Sequence, residues 1–386
     1  MKYVVCVPDG CADEPIAELG HRTPLEAADM PVLASLAARG EVGRAAVIPE
    51  GMPPGSDVGN MSIIGYDPCR YHTGRAPIEA AALGVDIADD QVAFRANLVM
   101  VGEDGTMVDF AGGHPTSEAA AEVIRALERE LAGRTFGGGA ISFHPGVQYR
   151  HVMLAPADWA DAECVPPHDL SDDPVIGPKG PGADAIAEIM EASRDVLASF
   201  DGVAANQVWL WGQGRRPALE PFEQRYGRRA ALVTAVDLVR GLGVLTGMDL
   251  IDVPGATGWF DTDYAAKRDG CLASLANGAD VGIIHVEATD EAGHAGDAGE
   301  KVRALENWDA LILADLVRSL DDLGPWRLLL LPDHATPVAL KTHTPATVPY
   351  LLVDSAQEGP GGLYTEGATT DCAAVAAHGL MARLLA

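Results

Sequence analysis

Seven side chains able to bind a metal ion or act as a nucleophile are divided between the two ends of this chain. They are Asp9, Ser56, Asp290, His294, Asp333, His334 and His343. The three aspartates and three histidines form a mixed oxygen and nitrogen set that suits Mn²⁺, Zn²⁺ or Mg²⁺. No cysteine belongs to the set, which argues against a structural zinc site. The pattern predicts a two-metal site built around a serine.

These candidates follow apolar runs that are typical of buried strands. Asp9 comes after Tyr3–Pro8, and Asp333 and His334 come after the run L-L-L-L-P. The carboxyl ends of parallel strands line one crevice in an α/β sheet, so residues distant in sequence converge there. We therefore expect the ligands at one edge of a sheet, each of the C-terminal five directly after a strand.

Two of the candidates also have ordinary structural explanations. Ser56 follows a loop rich in glycine and proline, where it would serve as the N-cap of a helix over Asp57–Ile64. That role is compatible with chemistry, because a helix N-terminus favours a bound phosphate. Asp290 and His294 are four residues apart, which would place them on one face of a helix. Gly293 between them favours a loop instead.

The composition limits the class of protein. The 386-residue chain is 48% hydrophobic and 22% charged, as an ordinary globular protein is. Its net charge of −29 repels nucleic acids and anionic membranes, so neither is expected as a partner. A phosphorylated substrate would need local cations or metal. The six scattered cysteines and the absence of a signal peptide or a long apolar run predict a cytoplasmic location and leave the oligomeric state open.

Alternating strands and helices are predicted near both ends of the chain. The predicted strands are Tyr3–Val7, Val42–Ile48, Ala230–Thr234, Val281–Val286, Arg327–Leu331 and Tyr350–Val353. The predicted helices include Pro31–Arg39, Asp57–Ile64, Tyr264–Asn277, Glu300–Leu323 and a closing helix, Thr369–Leu385. The pattern of predicted strands and helices changes between these regions. We therefore predict a discontinuous main domain, residues 1–84 and 225–386, and an inserted domain, residues 85–224.

Several motifs resemble those of a known family. They are P-D-G, P-P-G-S-D-V-G-N-M-S-I-I-G-Y-D-P, Y-H-T-G-R-A-P-I-E-A-A, V-P-G-A-T-G, D-E-A-G-H, P-D-H-A-T-P and K-T-H-T-P. They are similar to motifs of the archaeal-type cofactor-independent phosphoglycerate mutases of the alkaline phosphatase superfamily. The resemblance implies an α/β fold: an alkaline-phosphatase-like three-layer sandwich with a mainly parallel sheet, plus an inserted smaller α/β domain.

The resemblance also implies a role for each ligand. Asp9, Ser56, Asp333 and His334 would hold one ion, and Asp290, His294 and His343 would hold the other. Ser56 would be the phosphorylated nucleophile. Manganese is the expected metal, with zinc, magnesium or cobalt as alternatives, and no 2,3-bisphosphoglycerate is required. Two divalent ions balance three carboxylates and an ionised serine, so other residues must meet the substrate's charge.

Candidate contacts to a small phosphorylated acid are Arg150, His151, His114, Arg215, Arg216, Lys267 and Arg75. Arginine binds phosphate and carboxylate with two parallel hydrogen bonds. For each arginine, a solvated surface charge is the alternative. The chain reads A-G-G-H where many family members read A-G-R, which leaves the substrate's identity open.

Three activities remain possible from the sequence. The first is a phosphomutase that interconverts 3-phosphoglycerate and 2-phosphoglycerate through phosphoserine. A metal-dependent phosphomonoesterase would differ by admitting water, and an inserted domain that excludes water favours the mutase. The third is a small-molecule kinase of the homoserine type, since some relatives carry that label and share P-P-H-D-L and W-L-W-G-Q-G. No phosphate-binding loop G-x-x-x-x-G-K-[ST] supports it.

Overall fold

The computed structural model describes all 386 residues and divides the chain into two compact units. The first unit consists of Met1–His72 and Leu219–Ala386, and the second is the single segment Thr73–Ala218. None of the helices is both long enough and apolar enough to cross a lipid bilayer.

The first unit begins with two strands and four helices. They are β1 (Lys2–Pro8), α1 (Pro24–Ala27), α2 (Pro31–Arg39), β2 (Glu41–Ala46), α3 (Ser56–Ile63) and α4 (Pro68–Tyr71).

The second unit contains three helices and five strands. They are α5 (Ala76–Ala82), β3 (Gln91–Val101), β4 (Met107–Asp109), α6 (Ser117–Leu131), β5 (Ser142–Val147), β6 (Arg150–Pro156), α7 (Ala183–Leu197) and β7 (Gln207–Gly214).

The rest of the first unit alternates helices and strands. The elements are α8 (Phe222–Tyr226), β8 (Ala230–Val233), α9 (Asp237–Leu245), β9 (Asp249–Leu250), α10 (Tyr264–Ala276), β10 (Val281–Val286), α11 (Ala288–Ala295), α12 (Ala298–Trp308), α13 (Ala314–Leu323), β11 (Trp326–Leu330), β12 (Val348–Asp354), α14 (Glu366–Thr369), β13 (Ala374–Ala376) and α15 (Leu380–Leu385).

One eight-stranded sheet organises the first unit, in the order β13-β2-β12-β11-β1-β10-β8-β9. Only β12 runs antiparallel to its two neighbours. Both faces of β1 are buried: Val4 and Cys6 pack in a core with residues of α2, α10, α12 and α13. Val5 and Val7 are equally buried on the opposite face. Strands covered on both faces read as continuous apolar runs, which is why the sequence identifies them readily.

A π-helical turn, Asp309–Leu313, joins α12 to α13, so the predicted helix Glu300–Leu323 is one helical run with a wider turn in it. The buried Asp309 carboxylate accepts hydrogen bonds from the backbone N–H groups of Val32 (3.1 Å) and Leu33 (2.7 Å). These groups begin α2 and have no partner within that helix. The N-cap Met30 makes no side-chain hydrogen bond, so Asp309 caps α2 from another helix.

The predicted closing helix Thr369–Leu385 is wrong. The segment contains the end of α14, the strand β13 and the helix α15. β13 is the edge strand of the sheet and pairs in parallel with β2, with Ala374 opposite Arg44 and Ala376 opposite Ala46. Pairing at the edge of the sheet overrides the helical preference of this alanine-rich sequence.

The second unit has an antiparallel sheet, β4-β3-β6-β5, with β7 also paired to β3. Helices α6 and α7 cover one face. The predicted domain boundaries were residues 85 and 224. In the structure α5 lies within the second unit, because its Ala76 and Ala80 pack against Val152 and Leu154 of β6.

Candidate metal centre and nucleophile

The predicted ligands meet at one edge of the large sheet. Asp9 follows β1, Asp290 lies in the first turn of α11 after β10, and Asp333 follows β11. These three strands are parallel neighbours, so their carboxyl ends coincide. His343 does not follow a strand, contrary to expectation. It lies in the loop before β12, and because β12 is antiparallel, this loop reaches the same edge.

The first group of ligands is Asp9, Asp333 and His334, all buried. The Nε2 atom of His334 lies 3.5 Å from Asp9 Oδ1 and 3.5 Å from Asp333 Oδ2. The Gly10 N–H donates to Asp333 Oδ1 (3.2 Å), and Asn60 Nδ2 donates to Asp333 Oδ2 (2.7 Å). The three side chains therefore present their ligand atoms to one small volume.

The second group is Asp290, His294 and His343. The Nε2 atoms of His294 and His343 are 2.9 Å apart and lie 3.3 Å and 3.5 Å from the Asp290 carboxylate. The prediction of a loop at Gly293 is wrong, because Asp290 and His294 lie on one face of the helix α11. A Cβ at Gly293 would approach the Thr336 carbonyl oxygen to 2.4 Å, so glycine is required for close packing.

The two groups touch each other. The imidazoles of His334 and His343 stack with ring centroids 3.9 Å apart. Thr336 lies between the groups: its hydroxyl donates to Asp290 Oδ1 and is 3.1 Å from His334 Nδ1. Thr336 was not among the predicted site residues, although it stands two residues after His334 in P-D-H-A-T.

Ser56 is the first residue of α3, and Gly55 is the N-cap. The Ser56 Oγ atom makes no capping hydrogen bond and lies 3.2 Å from His334 Nε2. The predicted capping role is therefore wrong. Helix α3 approaches the site closely because Gly59 lacks a side chain: a Cβ there would lie 2.0 Å from the Asp333 carbonyl oxygen.

Electrostatics of the site fit bound cations. Burial and the charges of Asp333 and Asp290 raise the pKa of Asp9 well above its usual value. The Asp9 Oδ1 atom is buried and accepts no hydrogen bond. A buried carboxylate oxygen without a donor is costly unless a cation binds it. Burial lowers the pKa of His334 to about 4, which leaves its imidazole neutral, as a metal ligand must be. The donor set of three carboxylates and three imidazoles therefore fits divalent ions.

A buried chain of polar groups supports Asp9. His285 Nε2 lies 3.2 Å from Asp9 Oδ2, and its Nδ1 lies 3.2 Å from Glu287 Oε1. The ammonium group of Lys267 is fully buried and pairs with Glu287. The structure directs the Lys267 side chain at Glu287. Its predicted contact with substrate stays a prediction.

The other predicted substrate contacts lie in the second unit. Arg150 stands over the ring of Tyr149, and the exposed His114 packs against the edge of the same ring. His151 is buried, and burial lowers its pKa to about 3. Arg215 donates to the Ala157 carbonyl oxygen, and Arg216 forms an exposed ion pair with Asp86. Arg150 and His114 thus share one aromatic surface, and the other three residues have different neighbours.

Arg95 was not among the predicted site residues. It lies in the middle of β3, is almost fully buried, and pairs with Glu79 at 3.1 Å while its guanidinium lies over Trp211. Burial, followed by the nearby charges of Arg75 and Arg150, lowers the pKa of Arg95 to about 10 even though Glu79 opposes the shift. An arginine within the apolar run Q-V-A-F-R-A-N-L-V was the available signal, because unpaired charges are rarely buried.

The mainly parallel sheet, covered on both faces, and the paired ligand groups at its carboxyl edge define an α/β protein with a candidate two-metal centre, as predicted. The chain belongs to the family of 2,3-bisphosphoglycerate-independent phosphoglycerate mutases, whose sequence model matches residues 37–201. It is 44% identical over 367 residues to the enzyme of that name from Methanothrix thermoacetophila, covering 92% of this chain and 91% of the relative. The predicted family is therefore confirmed.

Two solved structures have a similar fold. A Pyrococcus horikoshii protein superposes with a TM-score of 0.81 at 25% identity, covering 100% of this chain and 96% of the other. The cofactor-independent phosphoglycerate mutase from Thermoplasma acidophilum gives a TM-score of 0.66 at 25% identity, covering 100% and 99%.

Proposed function

We propose that this protein interconverts 3-phosphoglycerate and 2-phosphoglycerate through a phosphoserine at Ser56, without 2,3-bisphosphoglycerate. The observation that carries the proposal is the position of the Ser56 hydroxyl, which is free of capping and 3.2 Å from His334 Nε2. The names of the relatives favour a mutase over the phosphomonoesterase and kinase alternatives.

Ser56 is well placed to receive a phosphoryl group. The N–H groups of the first turn of α3 and the helix dipole favour an anion at this end of the helix. Because Gly55 has no side chain, no capping oxygen competes for those groups. His334 Nε2 is positioned to hold the hydroxyl in orientation.

The ligand groups are proposed to hold two divalent ions, most simply Mn²⁺. Asp9, Ser56, Asp333 and His334 would hold one, and Asp290, His294 and His343 would hold the other. Bound ions would supply positive charge that stabilises the attacking and leaving oxygens of an in-line transfer.

Arginines of the second unit are proposed to bind the anionic groups of the substrate. With a net charge of −29, local cations are needed to hold a phosphorylated acid. Arg150 supports this proposal best, because its half-buried guanidinium lies over the ring of Tyr149, which the exposed His114 also contacts. A well-held glycerate would stay in place while the phosphoserine persists, which favours retransfer over hydrolysis.

The proposed activity is tested by incubating the purified protein with 3-phosphoglycerate and Mn²⁺, and measuring both 2-phosphoglycerate and free phosphate. Isomerisation without release of phosphate is expected. Release of phosphate in place of isomerisation would make the protein a phosphomonoesterase, and turnover of homoserine that requires ATP would make it a kinase.

The same assay tests the arginines. Arg150→Ala should lower kcat/KM or raise the ratio of phosphate released to product isomerised. Arg318, which is exposed on α13 and pairs with Asp315, offers a matched control. Equal ratios and equal kcat/KM for wild type, Arg150→Ala and Arg318→Ala would remove Arg150 from the substrate site.

The location is proposed to be cytoplasmic. All six cysteines are free, and three of them are buried, which suits a reducing compartment.

A further inference from the structure

We infer that Thr336 is a positioning residue that couples the two ligand groups and sets the hydrogen on His334 so that Nε2 faces Ser56. The inference rests on the proposed function and concerns how the site is held in its working geometry.

The single hydroxyl proton of Thr336 is donated to Asp290. The Thr336 hydroxyl donates to Asp290 Oδ1, and an ionised carboxylate can only accept. Asp290 is therefore the acceptor, and Thr336 has no second proton to give.

In the contact with His334, the Thr336 oxygen must therefore be the acceptor. His334 Nδ1 is 3.1 Å from the Thr336 Oγ1 atom. Since the hydroxyl proton is directed at Asp290, Nδ1–H must donate to the oxygen. A neutral imidazole with its hydrogen on Nδ1 has its lone pair on Nε2. That lone pair faces Ser56 Oγ, Asp9 Oδ1 and Asp333 Oδ2.

One threonine thus touches a ligand of each group. Its hydroxyl orients Asp290 of the second group and His334 of the first. Partners of this kind fix the orientation and tautomer of ligands, and their loss typically reduces metal affinity or activity about 10- to 100-fold. Because both groups depend on the same hydroxyl, its removal should affect both sites together.

The backbone around Thr336 is built to hold it there. The Thr336 N–H donates to the Ala12 carbonyl oxygen (3.2 Å), and the Thr336 carbonyl oxygen accepts from Lys301 Nζ (2.7 Å). Lys301 is fully buried and also pairs with Asp13 at 2.8 Å. The ion pair therefore anchors the segment that carries the threonine.

Two glycines leave room for the threonine. A Cβ at Gly10 would lie 2.5 Å from Thr336 Oγ1 and 2.4 Å from Asp290 Oδ1. A Cβ at Gly293 would meet the Thr336 carbonyl oxygen and its side chain. Side chains at either position would displace Thr336 from between the two groups.

The test compares Thr336→Val, which removes the hydroxyl and keeps the shape, with Thr336→Ser, which keeps the hydroxyl. Thr246→Val is the matched control, because Thr246 is equally buried and its hydroxyl donates to the Leu242 carbonyl oxygen, on α9. Binding of Mn²⁺ alone is measured by calorimetry and elemental analysis, and melting temperatures are recorded for all four proteins.

We expect Thr336→Val to weaken binding of both Mn²⁺ ions about 10-fold or more. Thr336→Ser should bind Mn²⁺ as the wild type does, and Thr246→Val should lose stability without losing metal. Two ions bound by Thr336→Val with wild-type affinity would overturn the inference. So would a serine variant as weak as the valine variant, since shape alone would then matter.

Two further measurements separate this inference from folding and from the proposed function. If Thr336→Val does not fold, the tautomer of His334 in metal-free wild type, measured by multiple-bond ¹H–¹⁵N correlation, decides the question. A hydrogen on Nε2 would overturn the inference. If Mn²⁺ binding responds as expected but no variant or wild type isomerises phosphoglycerate, the inference stands and the proposed function fails.

Discussion

Ser56 is proposed to be the nucleophile, and a second serine on the same helix provides its control. Ser56→Ala should lower mutase activity on the order of 10³-fold or more, because the attacking oxygen is gone. The free energy of unfolding should hardly change, since the Ser56 hydroxyl does not cap α3. The measurements are turnover, denaturant unfolding and mass spectrometry of acid-quenched wild type, which should carry phosphate on Ser56.

Ser62→Ala should behave in the opposite way. Ser62 is buried on α3, and its hydroxyl donates to the Val47 carbonyl oxygen at 2.7 Å. Its loss should cost about 1 kcal/mol of stability and leave activity largely intact. An active Ser56→Ala enzyme would reject the phosphoserine route.

Removal of metal should abolish activity and also reduce stability. Without cations, the buried carboxylates of Asp9, Asp290 and Asp333 repel one another, and Asp9 Oδ1 has no donor. Returning Mn²⁺ at about 100 times its dissociation constant should add about 2.7 kcal/mol to the free energy of unfolding for each ion bound. Thermal melting of chelated protein with and without added Mn²⁺ measures this change.

Asp333→Asn supplies the control for that experiment. The amide keeps the size of the side chain but is a poorer metal ligand, so Mn²⁺ should raise its melting temperature less than that of wild type. A chelated protein shown by elemental analysis to be free of metal, yet fully active, would contradict the two-metal proposal.

At the scale of elements, the packing of α11 onto Thr336 explains an unusual glycine. Gly293→Ala should destabilise the protein by about 1–3 kcal/mol, because the added methyl group overlaps the Thr336 carbonyl oxygen. Alanine normally stabilises a helix relative to glycine, by up to about 1 kcal/mol, so the expected sign is reversed.

Gly299 on α12 is the comparison. A Cβ there meets only side-chain atoms at 3.4 Å or more, so Gly299→Ala should be neutral or slightly stabilising. Denaturant unfolding of both variants checks the pair. Equal effects at the two positions would show that backbone packing at Thr336 does not select Gly293.

These examples show which features the sequence could predict. Strands buried on both faces, such as β10, appear as uninterrupted apolar runs, and Val281–Val286 was predicted with its observed bounds. Ligands after such strands could be placed at one edge by topology. His343 could not be placed in this way, because its position depends on β12 running antiparallel, which the sequence does not reveal.

Other misses have the same cause. Gly293 predicted a loop because glycine disfavours a helix. The reason for glycine here is the Thr336 carbonyl oxygen, which leaves no room for a Cβ and is distant in sequence. The segment Thr369–Leu385 predicted a helix because it is rich in alanine. Ala374–Ala376 forms a strand instead, because it pairs with β2, near the other end of the chain. Thr336 could not be recognised from the sequence, because its role depends on contacts with Asp290 and His334 that only the fold supplies.

At the scale of the whole molecule, the net charge should control the encounter with substrate. A charge of −29 repels an anionic phosphoglycerate at long range, and salt shortens that repulsion. Raising ionic strength from about 0.01 to 0.15 M shortens the screening distance from about 30 to 8 Å. We expect kcat/KM to rise over this range while kcat changes little. A steady fall of kcat/KM would indicate that local arginines, not the overall charge, dominate the approach.

The strand order also determines when the candidate metal centre can assemble during translation. β1 lies between β10 and β11, with Tyr3 opposite both Val281 and Arg327. Thr73–Ala218 is a continuous segment with its own core, so it can fold during translation before those partners leave the ribosome. Asp9 and Ser56 are synthesised early but meet Asp290 and Asp333 only near the end. An unfinished chain therefore has no complete centre, and phosphoryl transfer can begin only when translation is almost complete.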